Sequence, residues 1–513
     1  MTGTAPAIFQ TGQTRRAHLI GIGGSGMRAL ARVLLGKGWR LSGSDLAIGT
    51  DDPLAKGGIC CFSGHLADQV SPEVECVIYS SAISAANPEL CRAAEIGIPV
   101  LSYAETLGLL IEGHCGLAIA GTHGKSTTTA MAAEILLAAR CDPTVIYGAA
   151  PMGGVDGGRS GNGNVVLVEA CEFRRNFLHL RPHDAVILNM EPDHFDCYDS
   201  REALESAFAC FAGLLPADGR LIVPWGDVAV RRVTTAAGCR IETFGWDNGS
   251  GSRVGFSPPS RLGGLKPTLR ADWMAANVQG EKGRYGFDLV HHGQELGRIE
   301  LSVFGRHNVL NAVATAALVA ECGLPPEKMI AGLSQFRGLR RRLEPLGTAG
   351  GVVFWDDYAH HPTEISTTLQ TLREVCPKAR ICCLFQPHQA LRTARLLDEL
   401  ALSLQNAERV LIADIFRARE GPPQPGEITA ADLAARTRGL GQNVPGLHAP
   451  VDIQQFLQTQ LTPGDVLVVM GAGDIGLLLG RGAYNGGEAQ NNRGADRIGH
   501  GLMDWFREHR AAG

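Results

Sequence analysis

The sequence predicts an α/β protein of three domains with mostly parallel sheets. The first domain is Rossmann-like, the second of P-loop type, and the third Rossmann-like again. Three observations carry this. Short apolar runs alternate with helical patterns along the whole chain, which is how parallel sheets with crossover helices read. Two glycine turns, at Gly21–Gly26 and at Gly121–Gly124, each follow an apolar run and open a helical pattern. A chain of 513 residues also exceeds what one hydrophobic core serves.

The first domain is expected over 1–113. Its first strand is Ala17-His18-Leu19-Ile20, and a helix follows over 27–35. Between them, Gly21-Ile22-Gly23-Gly24-Ser25-Gly26 fits G-x-G-x-x-G, and Gly43-Ser44-Asp45 ends a second strand where a ribose-binding acid sits in dinucleotide folds. Such glycines bring backbone close to a pyrophosphate; NAD, FAD and a UDP-sugar all fit, and so does a purely structural turn. Later strands are expected at 77–79 and 100–101.

The central domain is expected over 114–337. Gly116-Leu117-Ala118-Ile119-Ala120 reads as a buried strand, and Ala130 to Leu137 as a helix. Between them stands Gly121-Thr122-His123-Gly124-Lys125-Ser126-Thr127. Turn N–H groups and a helix N-terminus there face phosphate oxygens, Lys125 adds charge, and the Ser126 hydroxyl suits Mg²⁺. Ile119 stands where a strict P-loop has its first glycine. This layout predicts an ATPase-type domain that uses ATP.

More strands are expected at 165–168 and 185–188. Glu169 leaves the first at the edge where open α/β sheets place ligands, which makes it a candidate Mg²⁺ ligand. Glu172 reads equally as a supporting or surface charge. His194, in Glu191-Pro192-Asp193-His194, follows the second strand and is a candidate metal or phosphate ligand, with a loop-capping histidine as the plain alternative. The Gly-, Ser- and Pro-rich stretch 247–283 reads as loops or a small β excursion. Arg306-His307-Asn308 opens a helix on which Asn308 and Asn311 share a face suited to an adenine edge.

The third domain is expected over 338–483, with strands at 352–355, 381–384, 410–413 and 466–469. Arg340-Arg341-Arg342 is the one concentrated basic run, matched to phosphate by guanidinium geometry. Asp356 to Glu364, Phe385 to Thr393 and Asp414 to Glu420 each put polar residues at a strand's C-terminal end. The tail, 484–513, reads as either flexible or a short docking helix.

Bulk properties narrow the class. Net charge is −5 with no long basic run, which argues against a nucleic-acid partner. No apolar run is long enough to span a membrane, and the N-terminus has no signal pattern, so a cytoplasmic location without membrane insertion is expected. The 14 cysteines include no C-x-x-C and read as reduced thiols.

In order, Gly-Ile-Gly-Gly-Ser-Gly-Met, Gly-Thr-His-Gly-Lys-Ser-Thr, Glu-Pro-Asp-His, Gly-Arg-His-Asn, Asp-Asp-Tyr-Ala-His-His-Pro-Thr-Glu, Phe-Gln-Pro-His and Gly-Ala-Gly-Asp-Ile resemble the Mur ligases, over about residues 15 to 480. Within them the chain looks most like the alanine-adding branch. The resemblance implies a domain each for a UDP-sugar and ATP, and a third that closes over both. It implies that ATP phosphorylates the lactyl carboxylate of UDP-N-acetylmuramate and that the amine of L-alanine attacks the acyl phosphate. The catalytic residues it implies are Lys125, Glu169, His194, His360 and Arg392. ATP would be held by Gly121 to Thr127, Asn308, Asn311, Arg341, Arg342 and Asp357. The UDP-sugar would be held by Gly21, Gly23, Gly24, Ser25, Gly26, Met27, Ser44, Asp45, Ser80 and Ser81. Ser126, Glu169 and His194 would serve Mg²⁺. A monomer or homodimer is expected.

Two departures stand out. Cys171 replaces the Asp of the family's Glu-Ala-Asp-Glu run, and Gln389 stands where the Phe-Gln-Pro-His-Arg run has Arg. The second puts amino-acid carboxylate binding, and so the amino acid itself, in question. Alternatives are a recycling ligase that joins a cell-wall peptide to UDP-N-acetylmuramate, an inactive UDP-sugar- and ATP-binding protein, and a nicotinamide oxidoreductase built on the Gly21 turn. The last leaves Lys125, Ser126 and the third domain unexplained.

Overall fold

The computed structural model describes residues 15–49, 52–246, 271–480 and 501–509. Three sheets follow one another along the chain. The first holds β1 (Arg16–Ile20), β2 (Arg40–Asp45), β3 (Cys60–Ser63), β4 (Cys76–Tyr79) and β5 (Val100–Ser102), in the order β3-β2-β1-β4-β5. All its pairings are parallel. The topological switch lies at β1, whose C-terminal end carries the first glycine turn, the place where open sheets bind ligands.

The second sheet has ten strands. Its parallel part contains β6 (Cys115–Ala120), β7 (Thr144–Tyr147), β9 (Val165–Glu169), β10 (Asp184–Ile187), β11 (Arg220–Pro224), β12 (Arg240–Trp246) and β13 (Trp273–Glu281). β8 (Gly157–Arg159) closes one edge antiparallel to β7, and β14 (Arg284–His291) and β15 (Gln294–Phe304) extend the other as antiparallel hairpins. The stretch read as loops or a small β excursion therefore supplies β13 at its end; residues 247–270 lie outside the described residues. Fully buried strands such as β6 and β10 read as unbroken apolar runs because both faces are covered.

The third sheet comprises β16 (Glu344–Ala349), β17 (Val352–Asp357), β18 (Ile381–Phe385), β19 (Arg409–Ile412) and β20 (Val466–Met470), ordered β16-β17-β20-β18-β19. Only the β16 pairing is antiparallel. Of the two alternatives for the tail, its described part is a docked helix, Leu502–His509. Leu502, Met503 and Phe506 are buried on the third domain, and Phe506 meets Phe354 edge-on at 5.7 Å. All 14 cysteines are free thiols.

The domains are joined by packing as well as by chain. The helix Ser25–Gly36 behind the first glycine turn lies on β8, where a Cβ on Gly158 would come within 2.2 Å of Ala29 O, and Arg32 pairs with Asp156 at 2.7 Å. Tyr285 of β14 donates to Glu374 of the third domain at 2.7 Å.

Candidate active site between the domains

At the C-terminal end of β6 the chain turns through Gly121 (φ +136°) and Gly124 (φ +82°) into the helix Lys125–Ala138. Both conformations favour glycine, and a side chain on Gly124 would also strike Asn311 at 2.8 Å. The helix thus starts at Lys125, five residues before the predicted apolar stretch. Lys125 Nζ donates to the Thr122 carbonyl at 3.0 Å and to that of Gly121, and lies 2.9 Å from Glu172 Oε2. Burial pulls the Lys125 pKa down, but Glu172 and Glu169 reverse this, so the ammonium stays charged. The Ser126 hydroxyl donates to Glu169 Oε2 at 2.9 Å, and the Gly148 N–H reaches the same oxygen at 2.9 Å.

Glu172, which the sequence left as a supporting or surface charge, is 1 % exposed and faces both Lys125 and His194, the latter at 3.5 Å. Its pKa is lowered: burial opposes ionisation, and Lys125 and His194 outweigh it. His194 sits at φ +52° in the loop after β10 and packs on Phe173, with ring centroids 5.2 Å apart. The serine and carboxylate oxygens of Ser126 and Glu169 form a hard donor pair that fits Mg²⁺ with room for water and phosphate oxygens.

Asn308 and Asn311 lie on the helix His307–Val319 and bond each other at 2.9 Å. They line a cavity of about 300 Å³ with Phe304, His307, Phe336 and Arg342. A second cavity of about 390 Å³ adjoins it, since His123, Gly124, Thr127, Arg342 and Glu364 line both. The second contains Lys125, Ser126, Glu169, His194, His360, His388, Arg392 and Arg419, and Ser25 from the first domain. All three domains meet there.

The two arginines of the basic run expected to hold ATP differ. Arg341 donates to the carbonyls of Gly471 at 2.6 Å and Gly473 at 3.0 Å, fixing the loop after β20, and lines only the second cavity, whereas Arg342 opens onto both. Asp357 accepts from the N–H groups of Leu343 at 2.8 Å and Ala359 at 2.7 Å and from Thr368 at 3.1 Å. Burial lifts its pKa to about 6 despite Arg342 nearby, and Asp357 both fixes this turn and lines the first cavity.

Burial depresses the His360 pKa to about 3, so this ring is neutral. Its Nδ1 faces the Tyr358 carbonyl at 3.0 Å and must carry the hydrogen, which leaves the lone pair on Nε2. Two nitrogens of Arg392 lie 2.7 Å from Asp193 Oδ1, and a third meets His388 Nδ1 at 2.8 Å. Asp193 stays well below the carboxylate range; burial resists, and Arg392 prevails.

A cluster that the sequence left unassembled couples the phosphate turn to the third domain. His123 Nδ1 lies 3.1 Å from Glu364, and its Nε2 3.4 Å from Glu191, which also accepts from Thr363 at 2.6 Å. His361 stands 3.7 Å from Glu191. Donor atoms of His123, Glu191 and His361 lie within 4.8 Å of one another, close enough for a metal ion. Burial lowers the His123 pKa, but Glu191 and Glu364 raise it to about 9. At neutral pH it is therefore an imidazolium between two carboxylates with no lone pair to offer, which favours an ion-pair clasp.

In the first domain the glycines of the turn are explained individually. Gly21 has φ +78°, a Cβ on Gly23 would meet the Asp45 carboxylate at 2.7 Å, and one on Gly26 would meet Tyr103 Oη at 3.0 Å. Gly24 is extended and caps the helix. Several predicted sugar-nucleotide residues turn inward. Asp45 accepts from Gly23 N–H and Ala47 N–H, both at 3.0 Å. The Ser44 hydroxyl, fully buried, donates to Glu89 at 2.6 Å, and the Met27 side chain packs in the core. Asp45 and Ser44 support the turn, whose N–H groups at Gly21, Ile22, Gly23 and Gly24 are bonded within the domain, and Ser25 lines the second cavity. Ser80 packs under Gly21, and Ser81 receives bonds from Arg174 and, at 3.3 Å, Asn176.

Family models match in succession: the "Mur ligase family, catalytic domain" over residues 16–114, the "Mur ligase middle domain" over 119–319 and the "Mur ligase, glutamate ligase domain" over 341–473. The chain belongs to the Mur ligase family. This Mur ligase is 38% identical to UDP-N-acetylmuramate–L-alanine ligase of Clostridium novyi over 471 residues, covering 91% of this chain and 97% of the other. It is 37% identical to the ligase of the same name from Salinibacter ruber, over 92% of this chain and 94% of that one. The crystal structure of UDP-N-acetylmuramate-alanine ligase from Thermotoga maritima superposes with a TM-score of 0.71 at 26% identity, covering 90% of this chain and 96% of the other.

Proposed function

We propose that this Mur ligase joins the lactyl carboxylate of UDP-N-acetylmuramate to the amine of L-alanine, using ATP, in peptidoglycan precursor synthesis. The observation that carries this is the shared cavity. A phosphate turn, an adjoining base pocket, cationic loops of the third domain and the glycine turn of the first all open onto it. The names of its relatives support the same reaction. Among the described residues no helix is long and apolar enough to cross a membrane, and we place the enzyme in the cytoplasm.

Phosphoryl transfer needs in-line positioning and charge neutralisation more than covalent help. The adenine occupies the pocket of Asn308 and Asn311, and the phosphates lie on the turn at Lys125. Lys125 and Arg342 counter the triphosphate charge. Ser126 and Glu169, with His194 nearby, would hold Mg²⁺, which supplies further neutralisation of the phosphate oxygens when bound. The sugar nucleotide crosses from the Gly21 turn past Ser25, bringing its lactyl carboxylate toward the γ-phosphate. The carboxylate attacks, ADP leaves, and an acyl phosphate forms beside His194. The amine of L-alanine then adds, and phosphate departs to leave the amide. His360 presents Nε2 as an acceptor for an amine N–H.

The test is phosphate release from ATP and Mg²⁺ with UDP-N-acetylmuramate, compared across L-alanine, glycine, L-serine and a cell-wall tripeptide. Release that requires the UDP-sugar and is strongest with L-alanine supports the assignment. Preference for the tripeptide would make it a recycling ligase, and no release with any acceptor would overturn the proposal.

A further inference from the structure

Gln389, where the family run has an arginine, does not line the cavity: it is 5 % exposed and sits at φ +68°. The cavity nevertheless receives a guanidinium from the neighbouring loop, that of Arg419. β18 and β19 are adjacent and parallel, so the loops leaving their C-terminal ends lie side by side. The two loops are bound together. Gln389 N–H donates to Phe416 O and Phe416 N–H to Pro387 O, both at 2.8 Å. The Glu420 carboxylate accepts from Ala390 N–H at 2.7 Å and Leu391 N–H at 3.0 Å. Arg419 is therefore anchored by its next residue to the two that follow position 389, and Ala418, at φ +49°, turns the chain just before it.

From there the Arg419 guanidinium crosses to the central domain. It lies 4.4 Å from the Phe173 ring centroid, and Phe173 packs on His194. Its pairing with Asp196 is long, 3.8 Å, with both side chains about one-third exposed (30% and 33%). Arg392 differs: it is 4% exposed and committed to Asp193 and His388 at 2.7 and 2.8 Å.

We propose that Arg419 binds the α-carboxylate of the incoming amino acid, taking the place of the guanidinium missing at position 389. A planar fork suits that carboxylate, and stacking on Phe173 holds the fork beside the acyl phosphate site. This rests on the reading of the enzyme as an amino-acid ligase.

The test is steady-state phosphate release by the full chain with ATP, Mg²⁺ and UDP-N-acetylmuramate, with L-alanine or L-alaninamide as acceptor, for wild type, Arg419→Ala and Arg419→Lys. Loss of a charge-assisted fork should raise the KM for L-alanine about tenfold to a hundredfold in Arg419→Ala, with the KM for ATP and for the UDP-sugar kept within about twofold. L-alaninamide has no carboxylate, so its KM should not move and the wild-type preference for L-alanine should shrink. Arg419→Lys should fall between. Equal losses with both acceptors, an unchanged preference, or a wild type indifferent to the carboxylate would overturn the assignment. Thermal melting of each variant separates misfolding from a binding effect, and Arg419→Lys decides should Arg419→Ala not fold. A wild type that releases phosphate with no amino acid would sink both this proposal and the ligase reading, whereas failure of Arg419 alone leaves wild-type release intact.

Discussion

Replacing Lys125 by alanine removes one charge and strands another. Lys125 and Glu172 form a buried pair with side chains 11% and 2% exposed, and deleting one partner of such a pair costs about 3–5 kcal/mol when the other stays ionised. His194 beside Glu172 softens this. Turnover should drop about a hundredfold to a thousandfold, as for removal of a preorganised donor from a transition state. Melting temperature should also fall, and adding Glu172→Gln to Lys125→Met should restore stability without restoring turnover. A single variant of wild-type stability and near-normal phosphate release would refute the assignment. Glu169→Gln tests the metal side. The amide oxygen can still accept from Ser126 and Gly148, so the fold should hold, but the lost charge should shift the Mg²⁺ titration at least about tenfold. An unmoved titration would remove Glu169 as a ligand.

At the level of elements, legibility followed burial. β6, β10, β18 and β20 are covered on both faces, so their apolar runs announced them. β3 is a short edge strand with exposed or half-buried side chains, and β16 is an antiparallel edge containing Pro345; neither carries a pattern that outranks a loop. Motif residues were legible where a strand end and a glycine turn marked them. Their supports were not: the Glu364 that holds His123 lies 241 positions away, and no local pattern connects them. The tail helix was ambiguous because it is short, and its hold comes from tertiary burial of an aromatic ring. Phe506 is fully buried against Phe354. Phe506→Ala should cost about 3 kcal/mol of stability, read as a lower melting temperature of the third domain, with the KM values for all substrates unmoved. Full retention of stability would mean the helix is not part of the folded unit.

Across the whole molecule, the candidate active site is a cavity lined by all three domains, so what docks them bears on the proposed catalysis. His123 belongs to the phosphate turn, Glu191 to the same domain, and Glu364, Thr363 and His361 to the third domain, all around one imidazolium. Burial alone would lower the His123 pKa, yet Glu191 and Glu364 raise it from 6.5 to about 9. A folded-state pKa above the unfolded one means that the protonated form favours the folded, docked state. The contribution is complete below about pH 6.5 and is lost as pH rises through about 9. Its size is on the order of 3 kcal/mol. His360 and His307, held neutral with pKa values of about 3 and 4, do not titrate in that window. Chemical denaturation of wild type and His123→Gln at pH 6, 7.5 and 9.5 should therefore show a stability gap that is widest at the lowest of these and nearly closed at the highest. A gap that does not change with pH would mean His123 is not charged in the clasp. It would also leave a lone pair on one His123 nitrogen, the one condition under which the His123–Glu191–His361 group becomes chemically suited to a metal ion.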